Sequence, residues 1–230
     1  MTFLIWLAVL PGLFLIFLIY RMDKIEKEPL GLLCILFLLG AVSTLPIAFL
    51  ESCLDDLVVS LVSPRSVVYL IIENFLIIAL FEEVGKFFVL ERCSWGNPNF
   101  NFLFDGVVYA VCTGMGFAIA ENILYVTRYG FETAIIRMLT ALPAHLIFAI
   151  FMGHYYGLSK KAEIVGDRKT YSYARKMALI VPVLIHGVYD VMASIDALWA
   201  DLVFVAAVIV LDVVAFIKVR GYSKKDEPVA

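Results

Sequence analysis

Two adjacent glutamates, Glu82 and Glu83, lie inside a long apolar stretch, and Lys86 follows within one helical turn. A charge near the centre of a bilayer costs about 3 kcal/mol on insertion scales, so adjacent glutamates there indicate a functional site. Successive side chains of a helix point about 100° apart, so one glutamate can line a cavity while the other meets a neighbouring helix. The sequence does not decide which. The carboxylate that Lys86 compensates less is a candidate general base or acid.

Three other apolar stretches carry ionisable residues at similar depth: Glu121, His145, and the pair His186 and Asp190. Because His186 and Asp190 are four residues apart, they share one helix face, where the carboxylate can orient the imidazole or share a ligand with it. Ionisable side chains on separate helices at matching depth predict one polar cavity within the membrane.

A second polar face is formed by Glu121, Asn122 and Tyr125. It can position a substrate backbone, or it can join two helices by hydrogen bonds, and the sequence leaves both readings open. Together with Lys86, these residues are predicted to bind substrate or to support the catalytic side chains. Asp105 and Asp212 are weaker candidates, of which Asp212 is expected to be a helix-packing group, and His154 is expected to be interfacial.

The composition is that of an integral membrane protein, since 63% of the 230 residues are hydrophobic. A transmembrane helix needs about 20 consecutive apolar residues. The predicted fold is therefore an all-α bundle of about seven transmembrane helices, in one domain over residues 1–222 with a short, polar and disordered tail at 223–230. The predicted spans are Thr2 to Tyr20, Leu30 to Leu50, Val67 to Leu90, Phe102 to Tyr125, Ala134 to Leu158, Met177 to Ile195 and Leu202 to Val219.

Basic residues are concentrated in the loops on one side of the predicted bundle: Arg21, Lys24, Lys27, Arg92, Lys160, Lys161, Arg168, Lys169, Arg175, Lys176, Lys218, Arg220, Lys224 and Lys225. Because cytoplasmic loops carry the excess of lysine and arginine, the N-terminus is predicted outside and the C-terminus in the cytoplasm. The polar residues then extend from mid-membrane toward the outer face, which predicts an outward-opening cavity. The acidic segment 51–66 is expected to be a solvated outer connector.

Several intramembrane chemistries are disfavoured because their motifs are absent from the sequence. It contains no H-E-x-x-H of a zinc metalloprotease helix and no G-x-S-G of a serine protease. The four cysteines are scattered without a C-x-x-C pair, so neither a thiolate metal site nor a disulfide framework is predicted.

Four segments in this order resemble the bacterial PrsW proteases, which are relatives of the type II CAAX prenyl endopeptidases and the Abi membrane proteins. They are FEEVGK at 81–86, FDGVVYAVCTGMGFAIAENILY at 104–125, PAHLIFAIFMGHYYG at 143–157 and LIHGVYD at 184–190. The resemblance implies a multi-pass endopeptidase of the bacterial cell membrane. Its implied substrate is a single-span anti-sigma factor, cut first on its extracytoplasmic side so that a sigma factor is later released in a stress response.

The same resemblance matches Glu121 to the second acidic position of the family, and the predicted catalytic residues are Glu82, Glu83, His145, His186 and Asp190. The prenyl-protease relatives have asparagine where this chain has Asp190. Asparagine can donate a hydrogen bond to an oxyanion, whereas an ionised aspartate only accepts, so Asp190 is better suited to orient His186 or to bind a metal.

The favoured mechanism is hydrolysis in which Glu82 or Glu83 takes a proton from water while His186, with His145, stabilises the oxyanion. This mechanism needs no cofactor. The alternative is a catalytic zinc ion with ligands drawn from Glu82, Glu83, His145 and His186. A different class of function, a proton-coupled transporter or a non-catalytic membrane binding protein, also places acidic residues and histidines at mid-membrane. The predicted partners are the lipid bilayer and a single-span substrate, without nucleic acid.

Overall fold

Helices make up nearly all of the computed structural model, which describes residues 2–229. In that range the only β pairing is an isolated bridge between Phe102 and Pro228, so the all-α prediction is confirmed. The elements are α1 (Thr2–Met22), α2 (Leu30–Leu61), α3 (Val67–Ile71), a π-helical segment (Ile72–Ala79), α4 (Leu80–Ser94), α5 (Leu103–Tyr129), α6 (Phe131–Leu139), α7 (Ala141–Ile164), α8 (Arg168–Ala193) and α9 (Leu198–Lys224).

Six helical stretches are long and apolar enough to cross a membrane: α1, α2, α5, the α6–α7 stretch, α8 and α9. The seventh predicted span, Val67 to Leu90, is helical throughout but is divided among α3, the π-helical segment and α4. At about 1.5 Å per residue, the combined stretch of α3, the π-helical segment and α4 is also long enough to traverse a bilayer. The chain is therefore a polytopic helical bundle.

The central helix of the bundle is α5, which packs against α1, α2 and α7. In its most apolar window 89% of the residues are buried, against 17% in α1 and in α9. Close packing with α7 depends on glycine, because a Cβ added at Gly106 would lie 2.7 Å from the carbonyl oxygen of Gly153. Small residues at such a crossing let two helix backbones approach within a membrane. The central position of α5 brings Glu121 into the middle of the other helices.

The π-helical segment lies immediately before the paired glutamates. Such segments are rare and occur often at functional sites. Here Asn74, Ile78 and Glu82 follow one another at four-residue intervals and all line the same cavity. Helix α8 approaches this segment at Gly187, where an added Cβ would lie 2.7 Å from Cγ of Phe75. The segment therefore directs Glu82 into the cavity and allows α8 to lie close beside it.

The structure differs from the sequence prediction in the connection after α2 and in the C-terminal segment. The acidic segment 51–66 is not a solvated connector, because α2 continues to Leu61 and only residues 62–66 lie between helices. Within this continuation Glu51 lies two turns beyond Thr44 on the same helix face, and both line one cavity.

The C-terminal segment is ordered rather than disordered. Helix α9 extends to Lys224, and the residues after it meet the start of α5. The Leu103 amide donates to the Glu227 carbonyl at 3.1 Å, and the Phe104 amide donates to Asp226 Oδ1 at 2.9 Å. The first amides of a helix lack partners within the helix, so the C-terminal segment supplies acceptors that α5 needs.

Candidate active site

Lys86 joins the two adjacent glutamates and one histidine in the interior of the bundle. Its Nζ lies 2.8 Å from Glu82 Oε2, 2.8 Å from Glu83 Oε1 and 3.2 Å from His145 Nδ1. All four side chains are buried, and the Lys86 ammonium also lies over the Phe117 ring. Helix α4 makes this possible, because residues three and four positions apart lie on the same side of a helix. One ammonium thus compensates part of the charge of two buried carboxylates.

Both buried histidines contact carboxylates, His145 through one ring nitrogen and His186 through both. His186 Nδ1 lies 2.9 Å from Glu83 Oε1, and His145 Nε2 lies 3.1 Å from Glu121 Oε2. The two rings are 5.3 Å apart between centroids. The other nitrogen of His186, Nε2, lies 4.0 Å from Glu82 Oε2 and 3.1 Å from Asp190 Oδ2. Side chains from α4, α5, α7 and α8 therefore converge as the sequence predicts.

Three members of this cluster could hold a metal ion. Glu82, His145 and His186 each offer one ligand atom, and these atoms lie within 4.8 Å of one another. Two histidines and one glutamate form a known ligand set of catalytic zinc. Metal-binding histidines commonly have their second nitrogen hydrogen-bonded to a carboxylate, as Glu83 and Glu121 do here. The buried Glu83 Oε2 also has no hydrogen-bond partner among the described residues. The donor types suit a divalent metal, and binding it would displace Lys86 Nζ from its contacts with Glu82 Oε2 and His145 Nδ1.

A cavity of about 940 Å³ connects the cluster with one end of the bundle. The side chains of Glu82, Glu121, His145, His186 and Asp190 line it. The cavity reaches the end of the bundle that contains α6 and the connection between α8 and α9, which the charge distribution predicts to be extracytoplasmic.

Glu82 and Glu83 have different surroundings, as the helical geometry predicts. Glu82 lines the cavity, whereas Glu83 does not and instead contacts Lys86 and His186. The structure therefore orients Glu82 toward any molecule in the cavity and Glu83 toward the histidine behind it.

The second predicted polar face divides between the cavity and the helix packing. Tyr125 lines the cavity beneath the Arg137 guanidinium, which lies 3.9 Å from the ring centroid. Asn122 does not line it. Its side chain accepts a hydrogen bond from Arg137 Nε at 3.1 Å and donates one to the Ala8 carbonyl at 3.2 Å. Asn122 thus joins α1, α5 and α6, which is the helix-linking role that the sequence leaves open.

Sequence reasoning missed several polar residues of the cavity, among them Arg137 and Glu51. Arg137 Nη2 lies 2.7 Å from Glu121 Oε2, and this pairing depends on how α6 folds against α5, which no sequence pattern reveals. Glu51 lines the cavity with one carboxylate oxygen buried and unpartnered. Its spacing of seven residues from Thr44 was the available signal, because that spacing places both on one helix face.

The three weaker candidates have different environments. Asp212 lines the cavity, so its assignment to helix packing is wrong; the polar interior extends as far as α9. His154 stacks on Tyr222 with centroids 3.7 Å apart, outside the cavity. Asp105 Oδ2 accepts hydrogen bonds from the Asn101 and Phe102 amides at the start of α5. The four cysteines are all free.

Comparison with known proteins identifies relatives along most of the chain. The PrsW-protease family model, described as the PrsW family of intramembrane metalloproteases, matches residues 28–217. Protease PrsW of Geobacillus kaustophilus is 36% identical over 198 residues, which cover 85% of this chain and 82% of the relative. Protease PrsW of Clostridioides difficile is 31% identical over 97% of this chain and 92% of the relative. Protease PrsW of Bacillus subtilis is 31% identical over 84% of this chain and 83% of the relative. No solved structure matches the chain.

These relatives decide between the classes of function that the sequence leaves open. Proteases match nearly the whole bundle, so the transporter and the non-catalytic binding protein are set aside. The helices long enough to cross a membrane are consistent with a multi-pass protein of the bacterial membrane. The chain belongs to the PrsW family of intramembrane metalloproteases and is a membrane protease.

Proposed function

We propose that this protease makes the first, extracytoplasmic-side cut in a single-span anti-sigma factor and thereby starts the release of a sigma factor. The substrate is inferred from the family resemblance. The location of the cut is supported by the cavity, which reaches the end of the bundle that is predicted to lie outside. Apolar side chains of α6 and α9, such as Leu139 and Phe204, line the cavity beside the charged ones. This mixed lining suits a peptide segment that emerges from a membrane span.

The observation that carries the proposal is the meeting of ligand atoms from Glu82, His145 and His186 within 4.8 Å. These three residues would hold a zinc ion at the inner end of the cavity. When bound, zinc supplies polarisation of the scissile carbonyl and a lower pKa for water. Glu83 fixes the ring of His186 through Nδ1, and Glu121 fixes the ring of His145 through Nε2.

We assign proton transfer to Asp190. It lines the cavity beside His186, and among the described residues no lysine or arginine nitrogen lies within 4.0 Å of its carboxylate. The other cavity carboxylates near the histidines are paired, Glu82 with Lys86 and Glu121 with Arg137. Asp190 is therefore the carboxylate most available to accept a proton from the attacking water and to return it to the leaving amine.

Cleavage of a co-expressed substrate tests the protease site. The substrate is an anti-sigma factor of the same bacterium that carries a different tag on each side of its span. Wild type should release a fragment whose size places the cut on the extracytoplasmic side. Glu82→Gln should lower the rate at least about 100-fold, because a group at the reacting centre is removed. Glu73→Gln is the matched control, since Glu73 lies in the same helical stretch but does not line the cavity.

Two outcomes of this assay contradict different parts of the proposal. Undiminished cutting by Glu82→Gln would contradict the assignment of the protease site. If the anti-sigma factor stays intact while another single-span protein is cut, the substrate assignment is wrong and the protease site stands.

Metal analysis and chelation test the zinc assignment. The purified full-length protein should contain about one zinc per chain, and the paired variant His145→Ala with His186→Ala should contain none. Asp190→Asn should keep the zinc and lose turnover, since its proposed role is proton transfer. Full activity after exhaustive chelation, with no zinc in the protein, would contradict the zinc assignment and favour Glu82 as the base of a metal-free mechanism.

A further inference from the structure

A second group of buried acidic side chains lies at the other end of α5. Asp23 and Glu28 belong to the connection between α1 and α2, and Asp105 lies in the first turn of α5. All three are buried, and one carboxylate oxygen from each lies within 4.8 Å of the others. Asp105 precedes Glu121 by 16 residues, about 24 Å along the helix, so this acidic cluster is separate from the protease cavity.

Two members of the acidic cluster are held in place by hydrogen bonds. Glu28 accepts one from the Tyr109 hydroxyl, and Asp105 Oδ2 accepts two from backbone amides. Each of these carboxylates keeps a second oxygen. The amide donors at the start of α5 thus fix the direction in which Asp105 points, and Tyr109 does the same for Glu28.

Asp23 is the member that lacks a partner. Its exposed fraction is 1%, and neither carboxylate oxygen has a hydrogen bond among the described residues. Burial raises the pKa of Asp23 to about 6 against the opposing attraction of Lys27. An ionised carboxylate buried without a partner is costly, and native proteins rarely contain one.

The nearest cation does not neutralise the cluster. The Lys27 ammonium donates to the backbone carbonyls of Tyr20 and Asp23 rather than to a carboxylate. Within residues 2–229, no lysine, arginine or histidine nitrogen lies within 4.0 Å of the carboxylates of Asp23, Glu28 or Asp105. Three buried carboxylates, one of them without a hydrogen bond, therefore lie together without a cationic side chain in contact among the described residues.

We propose that Asp23, Glu28 and Asp105 form a structural site for a hard divalent cation of the Mg²⁺ and Ca²⁺ class. All of the donor atoms are oxygens, which these cations prefer, whereas zinc prefers nitrogen and sulfur ligands. The cation links the connection between α1 and α2 to the first turn of α5. The C-terminal segment is attached to that same turn through Asp226 and Glu227, so the cation stabilises the junction of three parts of the chain.

Binding of Mn²⁺ to the purified full-length protein tests this site, with electron paramagnetic resonance as the readout. All proteins in this experiment carry Glu82→Gln, which removes one ligand of the proposed zinc site, and the protein with this change alone is called the background protein. We expect one Mn²⁺ per chain, displaced by Mg²⁺ or Ca²⁺, and at least 10-fold weaker binding in Asp23→Asn. Glu26→Gln is the matched control, since Glu26 is an exposed carboxylate in the same connection. The proposal would be overturned if Asp23→Asn bound Mn²⁺ as tightly as the background protein does. It would also be overturned if the background protein bound no Mn²⁺.

Thermal unfolding gives a second readout that does not depend on protease activity. Mg²⁺ or Ca²⁺ should raise the unfolding temperature of the background protein in a saturable manner, as expected for a ligand that binds the native state. Asp23→Asn and Glu28→Gln should both lose this increase, and either variant suffices if the other does not fold. An unfolding temperature of the background protein that is unchanged by either cation would overturn the site.

Discussion

Two groups of largely buried carboxylates differ in how their charge is balanced. The protease cluster contains Glu82, Glu83, Glu121 and Asp190, and the acidic cluster contains Asp23, Glu28 and Asp105. Around the protease cavity, Lys86 contacts Glu82 and Glu83, and Arg137 contacts Glu121. In the acidic cluster, no cationic side chain of residues 2–229 contacts the carboxylates, and Asp23 has no hydrogen bond. Lysine and arginine side chains compensate part of the charge of the first cluster, whereas in the described part of the chain no cationic side chain contacts the carboxylates of the second.

This difference predicts how mutations in each cluster should change the stability of the protein. Removing one partner of a buried ion pair leaves an uncompensated charge, so the protein is destabilised. Removing a buried carboxylate that has no partner instead removes the free-energy cost of burying its charge. Neutralising a charge should therefore have opposite effects on stability in the two clusters.

The largest effect is expected for Lys86→Met. This change leaves two buried glutamates without their ammonium, and loss of one partner of a buried pair costs about 3 to 5 kcal/mol. We expect this decrease in the free energy of unfolding for the purified protein in detergent. Lys161→Met is the control, because Lys161 pairs with Glu227 at the surface and its loss should cost at most about 1 kcal/mol. Equal losses for both variants would contradict the central role of Lys86.

The next effect concerns Glu83, which contacts a histidine rather than the cavity. Glu83→Gln should lower zinc affinity or activity about 10- to 100-fold, because residues that orient metal-binding histidines typically contribute that much. The measurement is a zinc titration together with the cleavage rate, and Glu73→Gln again serves as the control. If zinc affinity and cleavage both stay at the wild-type level, Glu83 does not position His186.

A smaller effect is expected for Arg137→Met. The change leaves Glu121 with His145 as its remaining partner, but both side chains of the ion pair keep some solvent exposure. We expect a loss of about 1 to 2 kcal/mol in the free energy of unfolding, less than for Lys86→Met. Arg128→Met in the same region is the control, since Arg128 forms no ion pair among the described residues. A loss as large as that of Lys86→Met would show that exposure does not weaken this pair.

The smallest effect, and the one with the opposite sign, is expected for Asp23→Asn. With divalent cations chelated, the substitution should stabilise the protein by about 1 kcal/mol, because it removes a buried charge that lacks a partner. With Mg²⁺ present, the same variant should be less stable than wild type. The measurement is chemical unfolding under both conditions. Destabilisation of equal size with and without Mg²⁺ would mean that Asp23 already has a partner in the protein.

Much of the fold could be predicted from the sequence because hydrophobic length is a local property. A stretch of apolar residues long enough to cross the bilayer must be helical, since its backbone groups have no water to bind. The predicted stretch at 67–90 is helical, but its π-helical segment was not foreseen. That segment lies against α8 at Gly187, a contact between distant parts of the chain.

The sequence predicted most of the residues of the candidate site but not which of them contact one another. Ionisable residues are conspicuous in apolar stretches, so Glu82, Glu83, His145 and His186 could be identified from the sequence. Arg137 could not, because its contact with Glu121 requires the position of α6 against α5. The acidic cluster was equally hidden, since it unites residues 23, 28 and 105 only after α1, α2 and α5 have packed.

The sequence by itself determined that this protein is a helical membrane protein with carboxylates and histidines at matching depth, because hydropathy and helical spacing act over a few turns. Only the tertiary structure decided that Glu82 faces the cavity, that Glu83 lies behind His186 and that Asp23 has no partner. The reason is physical: the rotation of each helix about its axis, and therefore the neighbour of each charge, is set by packing against other helices.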